Sequence, residues 1–365
     1  MDKKVFITHA EVSTSAGADL QSLWENILNQ RSGICLYDDF LPNRKAAIGR
    51  FSESGSFEYL LLKCIKKIVD ESKKEPKDIV LFIGSSVGGM QNTEKKLKSG
   101  CSYNDIDPNF HTIGTIKNFI LPHYKFKKTY AFSTACTSSA NALGFAYECI
   151  KKGIYSDILV VGADAISLTT VNGFDALGVL SPSTCKPFCA KSFGMNVSEG
   201  IGALLISDTK TRNCTEFLGV GYSSDAYHMA HPKPNGEGAK IAMQNALSLA
   251  KVSQLDYINA HGTGTKANDS AEAAAVSSLF DFSTHISSTK NITGHTLGAA
   301  GVIEAIITCK AILEDTVPPN CPIEEPLEYN CKIAQNPIKK VVRYAMSNSL
   351  AFGGNNVSLV FGKSV

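Results

Sequence analysis

Apolar runs of four or five residues alternate along this chain with longer stretches of helical periodicity. Ile79-Val80-Leu81-Phe82-Ile83 is such a run and ends at Gly84. Thr129-Tyr130-Ala131-Phe132 is another, leading into a helical pattern from Ser138 to Lys152 that Gly153 stops. Ile158-Leu159-Val160-Val161 ends at Gly162, and Ala203-Leu204-Leu205-Ile206 follows a glycine-rich approach. Near-continuous apolar strands separated by helices predict an α/β architecture whose sheets are covered on both faces.

The second half repeats the rhythm. Helical patterns over 239–251 and 270–280 flank a strand at Tyr257-Ile258-Asn259-Ala260. A long helix is expected from Gly298 to Glu314, ahead of Pro318-Pro319, and a last strand at Val357-Ser358-Leu359-Val360-Phe361. The polar segment Ser207 to Thr215 separates two units, 1–210 and 211–365. It is too short for a flexible linker, so the units are expected to pack together. The charged tract Lys63 to Lys77 reads as the solvated face of a helix.

Composition narrows the class. The chain has 365 residues, 44% hydrophobic and 19% charged, enough apolar content for a substantial core. Lys and Arg number 36 against 34 Asp and Glu, a formal charge of +2, which concentrates no basic charge for a nucleic acid. The 11 cysteines are odd in number and include no C-x-x-C, the pattern of reduced thiols in a cytoplasmic protein. No apolar run reaches membrane-spanning length, and Val5-Phe6-Ile7-Thr8 opens a strand where a signal peptide would be apolar for longer.

Four strings carry candidate chemistry. Thr134-Ala135-Cys136-Thr137-Ser138-Ser139 lies between a strand and a helix. There, unpaired backbone N–H groups and the helix dipole favour negative charge, so Cys136 is expected to be an acidified nucleophile. The bland alternative is a buried hydrophobe. His261-Gly262-Thr263-Gly264-Thr265 follows a strand, with Asp269 and Glu272 one and two turns on. Lys290 and His295 stand five apart between hydroxyls and glycines, and Asn348-Ser349-Leu350-Ala351-Phe352-Gly353-Gly354 forms a turn before the last strand. Singly, each admits a structural explanation: His261 as a buried histidine, Lys290 as a surface lysine, Phe352 as core.

Together and in this order, the four strings resemble the elongating β-ketoacyl-[acyl-carrier-protein] synthases of the thiolase superfamily, most densely from Ser223 to Phe361. The resemblance implies a five-layered α/β/α/β/α thiolase fold built from two similar halves. It implies a 3-oxoacyl-[acyl-carrier-protein] synthase, performing decarboxylative Claisen condensation in fatty acid or polyketide chain elongation. Cys136 would carry the acyl group, while His261 and His295 would donate hydrogen bonds to the enolate left by malonyl decarboxylation. Backbone N–H groups of Cys136 and Phe352 would form an oxyanion hole. Lys290 would lie near Glu272 and, with Asp269, help order the site. Thr263, Thr265, Phe352 and Gly353 would contact substrate, with Phe352 as gate. No metal, nucleotide or flavin is implied. The partners would be acyl- and malonyl-loaded carrier protein and a second subunit, in a homodimer or heterodimer.

Two rivals follow from the same comparison. A thiolase would need a second cysteine where Phe352 and Gly353 stand. A non-condensing chain-length partner would be expected to have lost Cys136. Departures from the family pattern point to a specialised synthase, and the stretch from Ser133 to Leu143 resembles those of aryl-polyene or other accessory pathways. Ala351 replaces a common glycine, which would stiffen the gate because Ala disfavours positive φ. Cys189 and Phe193 occupy usually charged positions, and His9-Ala10-Glu11 replaces a glycine-containing turn. Basic carrier-docking positions are missing between Phe40 and Ile65, and Asn104-Asp105-Ile106-Asp107 replaces a basic loop. The turn Gly84-Ser85-Ser86-Val87-Gly88-Gly89 lacks a G-x-G start and reads as structural. A metal site from His228, His231, Cys185 and Cys189 lacks a register that would bring the four together.

Overall fold

The computed structural model describes residues 2–327 and 329–364. Its first half runs β1 (Phe6–Thr14), α1 (Leu20–Leu28), the hairpin β2 (Ile34–Tyr37) and β3 (Ala46–Gly49), then α2 (Phe57–Ser72). It continues through β4 (Val80–Gly84), α3 (Met90–Lys98), α4 (Gly114–Ile120), β5 (Lys128–Phe132) and α5 (Ser138–Lys151). β6 (Asp157–Asp164), α6 (Leu168–Ala176) and β7 (Gly200–Ser207) complete it. The second half begins with β8 (Thr215–Ser224), α7 (Glu237–Ala250), β9 (Tyr257–Asn259), α8 (Lys266–Leu279) and β10 (His285–Ser287). The short α9 (Lys290–Thr293) and long α10 (Ala300–Leu313) follow, then three two-residue strands, β11 (Thr316–Val317), β12 (Lys332–Ile333) and β13 (Ile338–Lys339). β14 (Tyr344–Leu350) and β15 (Asn355–Lys363) form the closing hairpin.

Topology is duplicated. The first half orders its strands β5-β4-β6-β7-β1, and the second orders its strands β10-β9-β14-β15-β8, with β12 added at the edge. In each, the three strands at one end are parallel and the remaining two pairings are antiparallel. The sheets meet edge to edge through only two residue pairs, Phe6 with Glu216 and Ile7 with Thr215. A two-residue seam lets each sheet take its own twist and pack against the shared helices.

Those shared helices are α5 and α10, which pack on each other and against strands of both sheets. The helix α10 is buried around nearly its whole circumference, which its apolar sequence allows and only a central layer exploits. Close approach is enforced by size: a Cβ on Gly301 would sit 2.6 Å from the backbone nitrogen of Ala140. Outside the sheets, α2 and α4 cover the first and α7 and α8 the second, each over its own apolar cluster. Helix α2 shows why: Phe57, Leu60, Leu61, Cys64, Ile65 and Ile68 share one buried face, and its lysines fall on the other. Its start is fixed by Ser56, whose hydroxyl accepts from Tyr59 N–H at 3.1 Å. The result is helix, sheet, helix, sheet, helix.

Some elements differ from the sequence expectation. The helix expected at Gly298 begins as a 3₁₀ turn, Leu297–Ala299, and becomes α-helical at Ala300. β8 and β14 carry no long apolar run, because Gly219 and Gly221 interrupt the first and Ser347, Asn348 and Ser349 the second. Ser347, Asn348 and Ser349 of β14 are buried and polar. Their environment is set by the neighbouring strands and helices, which local periodicity does not report.

Candidate active site

Cys136 sits at the entrance of α5, one residue after Ala135, which adopts a left-handed backbone (φ 53°). A non-glycine residue in that region is strained, and the surroundings hold it there. Ser86 donates to Ala135 C=O at 2.7 Å and Ser138 donates to the same oxygen at 2.6 Å. Asn355, at the start of β15, accepts from Thr137 Oγ1 at 2.7 Å and from Asn141 Nδ2 at 2.8 Å. The thiol therefore stands on a turn bonded to the far half of the chain.

Cys136, His261 and His295 line one cavity of about 330 Å³, together with Thr263, Thr265 and Phe352. The imidazoles stand edge to face, ring centres 5.3 Å apart at 87°. Each ring's proton can be assigned from its neighbours. Leu297 N–H donates to His295 Nδ1 at 3.1 Å, so a neutral His295 carries its proton on Nε2. Lys290 Nζ lies 3.4 Å from His261 Nδ1, and an ammonium can only donate, so His261 also carries its proton on Nε2. Both rings are neutral. Burial, and then the charge of Lys290, hold His295 down to about 3 and put His261 well below the ordinary histidine value.

The thiol does not follow the sequence expectation. Burial pushes Cys136 up to about 11, against the Lys290 charge and the N–H groups of Phe352 and Cys136 that face the sulfur. Desolvation of a thiolate outweighs those favourable groups, so the helix entrance does not produce an acidified thiol. Alkylation of Cys136 by iodoacetamide is accordingly expected to rise about tenfold per pH unit between pH 7 and 9.5. Peptide mapping by mass spectrometry checks this, and a plateau near pH 7 would contradict it.

Lys290 is buried and ion-paired with Glu304 of α10, while donating to His261 C=O at 2.6 Å. Lys290 is near Glu272, as expected, but does not bond to it. Glu272 feels the lysine's charge, but its oxygens accept from His261 N–H at 2.9 Å, Gly262 N–H at 2.8 Å and Asn348 Nδ2 at 3.2 Å. Asp269 likewise stands behind the cavity wall, accepting from Phe188 N–H at 2.8 Å and Gly264 N–H at 3.2 Å. Burial raises Asp269 and Glu304 to about 7 each.

Thr263 and Thr265 face the cavity with hydroxyls 2.9 Å apart. Gly353 does not line it; its N–H donates to Met229 C=O at 2.8 Å. The stiff-gate expectation for Ala351 also fails. The loop makes its left-handed turns at Gly353 (φ 85°) and Gly354 (φ 78°), and Ala351 is not among the left-handed residues. His228 and His231 stack on an exposed loop, and no cluster of three metal-ligating side chains occurs among the described residues.

Two site residues escaped the sequence reading. Glu304 could have been suspected as a lone carboxylate inside an apolar helical pattern. Asp164 could have been suspected at the end of the apolar run of β6. Fully buried, Asp164 accepts from Ser85 Oγ and from the N–H groups of Ser86, Val87 and Gly298. It thereby ties the turn beneath Ala135 to the turn that follows His295. Burial raises it to about 6 despite these bonds.

A thiol and two neutral imidazoles, brought together by a duplicated α/β fold, define a thiolase-type architecture. Within it, the chain belongs to the β-ketoacyl synthase family: the N-terminal domain of that family matches residues 53–212 and the C-terminal domain residues 214–324. Similar curated proteins include the chloroplastic 3-oxoacyl-[acyl-carrier-protein] synthase II of Arabidopsis thaliana, 32% identical over 98% of this chain and 75% of that one. The 3-oxoacyl-[acyl-carrier-protein] synthase 2 of Coxiella burnetii is 30% identical over 99% of both. Among solved structures, the ketosynthase ApeO with its chain length factor ApeC from Xenorhabdus doucetiae superposes with a TM-score of 0.88 at 29% identity, covering 99% of this chain and 98% of that one. A β-ketoacyl synthase from Burkholderia phymatum gives 0.88 at 27% identity over the full length of both.

Proposed function

We propose that this protein is a 3-oxoacyl-[acyl-carrier-protein] synthase that extends an acyl chain by decarboxylative condensation on Cys136. The observation carrying the reading is the shared cavity of Cys136, His261 and His295, with both imidazoles neutral. In the first half-reaction, Cys136 sulfur attacks an acyl thioester and the proton ends on the departing carrier thiol. The N–H groups of Cys136 and Phe352, which face the sulfur, hold the oxyanion of that step. In the second, malonyl thioester loses carbon dioxide, and negative charge gathers on its thioester oxygen. Nε2–H of His261 and of His295 donate to that oxygen. The new carbon nucleophile attacks the acyl-Cys136 carbonyl, the C–S bond breaks, and the thiolate regains a proton.

Lys290 acts through His261, fixing its tautomer, and Glu304 balances the lysine's charge. Thr263 and Thr265 meet the malonyl carboxylate or the carrier's arm, while Phe352, 6.0 Å from Phe174, gates the acyl end. The halves 1–210 and 211–365 divide these tasks, the thiol in the first and the imidazoles in the second. A carrier protein delivers both substrates. A second subunit completes the assembly, as a homodimer or as a heterodimer like the Xenorhabdus pair. The described residues contain no helix long and apolar enough to cross a membrane. Eleven free cysteines support a reducing compartment, taken here as the cytoplasm.

Purified protein is incubated with acyl-carrier and malonyl-carrier proteins and followed by intact mass. The reading requires an acyl adduct on Cys136, absent in Cys136→Ala, and a β-ketoacyl product. Neither adduct nor product, with or without a partner subunit, would end it.

A further inference from the structure

We infer that Asp164 is a positioning residue. It clamps the turn that carries Cys136 to the turn that follows His295, and so keeps malonyl decarboxylation coupled to carbon–carbon bond formation. This inference rests on the function proposed above and assigns the register between its two half-sites to one carboxylate. Two residues other than glycine hold left-handed backbone beside the reacting groups. Ala135 (φ 53°) stands just before the thiol, and Leu297 (φ 54°) two residues after His295. Neither conformation persists unaided, since a Cβ disfavours it. Each is tied to Asp164. Ser86 donates its N–H to Oδ2 at 2.9 Å, while its hydroxyl donates to Ala135 C=O at 2.7 Å. Gly298, next after Leu297, donates its N–H to the same Oδ2 at 2.7 Å, and Leu297 N–H donates to His295 Nδ1.

The consequence is geometric. Ala135 C=O and Cys136 N–H are the two ends of one planar peptide unit, so the bond on the carbonyl aims the N–H that faces the sulfur. Across the clamp, Asp164 holds the peptide that follows Leu297, and the N–H of Leu297 itself fixes the ring of His295. The two turns touch: a Cβ on Gly298 would stand 2.6 Å from Ser86 N and 2.7 Å from Asp164 Oδ2. Both carboxylate oxygens are needed. Oδ1 accepts from the Ser85 hydroxyl and Val87 N–H, while Oδ2 accepts from Ser86 and Gly298 N–H. An asparagine has one accepting oxygen. Either orientation turns its amide group against a backbone N–H, that of Gly298 or that of Val87, and pushes one turn away.

The test counts carbon dioxide released against β-ketoacyl product formed, with Cys136 kept loaded by excess acyl-carrier protein and malonyl-carrier protein as second substrate. Each condensation frees one carbon dioxide, so the unaltered protein is expected to give a ratio near one. An enolate carbon that misses the acyl-Cys136 carbonyl takes a proton from water and leaves as an acetyl thioester, its carbon dioxide already released. Asp164→Asn is expected to raise the ratio about threefold or more, while KM for malonyl-carrier protein stays within about twofold. Loss of folded enzyme lowers both counts together, so a merely structural role would leave the ratio at one. Ser86→Ala keeps the carboxylate and removes only the hydroxyl bond to Ala135 C=O, which Ser138 also holds, so its ratio should rise less. A ratio of one in Asp164→Asn, or in Ser86→Ala should the first variant not fold, overturns the inference. Absence of both carbon dioxide and product from the unaltered protein would instead defeat the proposed function, and this inference with it.

Discussion

His295→Ala protein is expected to load an acyl group onto Cys136 and then fail to condense it. The loading step uses the sulfur and the N–H groups of Cys136 and Phe352, none of which His295 touches through a hydrogen bond. The second step needs donors where negative charge gathers, and the loss of one preorganised donor lowers kcat by about 10²–10³. Removing the ring also frees Leu297 N–H, so the Leu297–Ala299 turn loses the bond that orients it. Intact mass after exposure to acyl-carrier protein measures loading, and carbon dioxide release from malonyl-carrier protein measures the second step. Normal release by His295→Ala would remove this residue from the mechanism. pH offers a second readout. His295 protonates only near 3, so it adds no acid limb between pH 5 and 8. Any acid limb there belongs to groups such as Asp164, Asp269 or Glu304, at about 6, 7 and 7, and must persist in His295→Ala.

Breaking the Lys290–Glu304 pair is expected to cost more stability than any surface change. Both groups are buried, and removing one partner of such a pair leaves an uncompensated charge, a loss of about 3–5 kcal/mol. Lys290→Met should show that loss in chemical denaturation. Its pH dependence has a definite sign. Glu304 in the folded chain sits at about 7, above its unfolded value, so its share of stability is complete below about 4.5 and is lost as pH rises. Without Lys290 the carboxyl is held higher still. The Lys290→Met protein should therefore be closer to the unaltered protein at pH 5.5 than at pH 8. Lys290→Met combined with Glu304→Leu removes both charges and should recover most of the stability. Condensation should stay lost in the double variant, because His261 Nδ1 no longer faces a donor that fixes its tautomer. Full recovery of condensation would reduce Lys290 to a structural role.

Much of the reacting set was legible because its chemistry is written in local strings. A cysteine between a strand and a helix, two histidines beside glycines, and a glycine turn before a last strand are all visible in one dimension. What those residues experience was less accessible. The turn at Cys136 promised a low-pKa thiol, yet enclosure by both halves raises it. Lys290 does lie near enough to Glu272 for its charge to act there, but its ion-pair partner is Glu304 of α10, which no local string pointed to. Ala351 promises a stiffer gate, yet the left-handed conformations fall to Gly353 and Gly354.

By itself, the order of apolar runs and helical patterns determined an α/β chain with two repeating halves, because period and run length report how each segment meets a core. The reactive side chains, too, were recognisable from type and spacing. Tertiary structure alone decided the proton on each imidazole, the partner of the buried lysine and the role of Asp164. Those properties depend on desolvation and on neighbours that folding brings close, from Leu297 beside His295 to Gly298 against Asp164. Electrostatic energies inside a protein are set by distance and burial, and neither is encoded at the position that feels them.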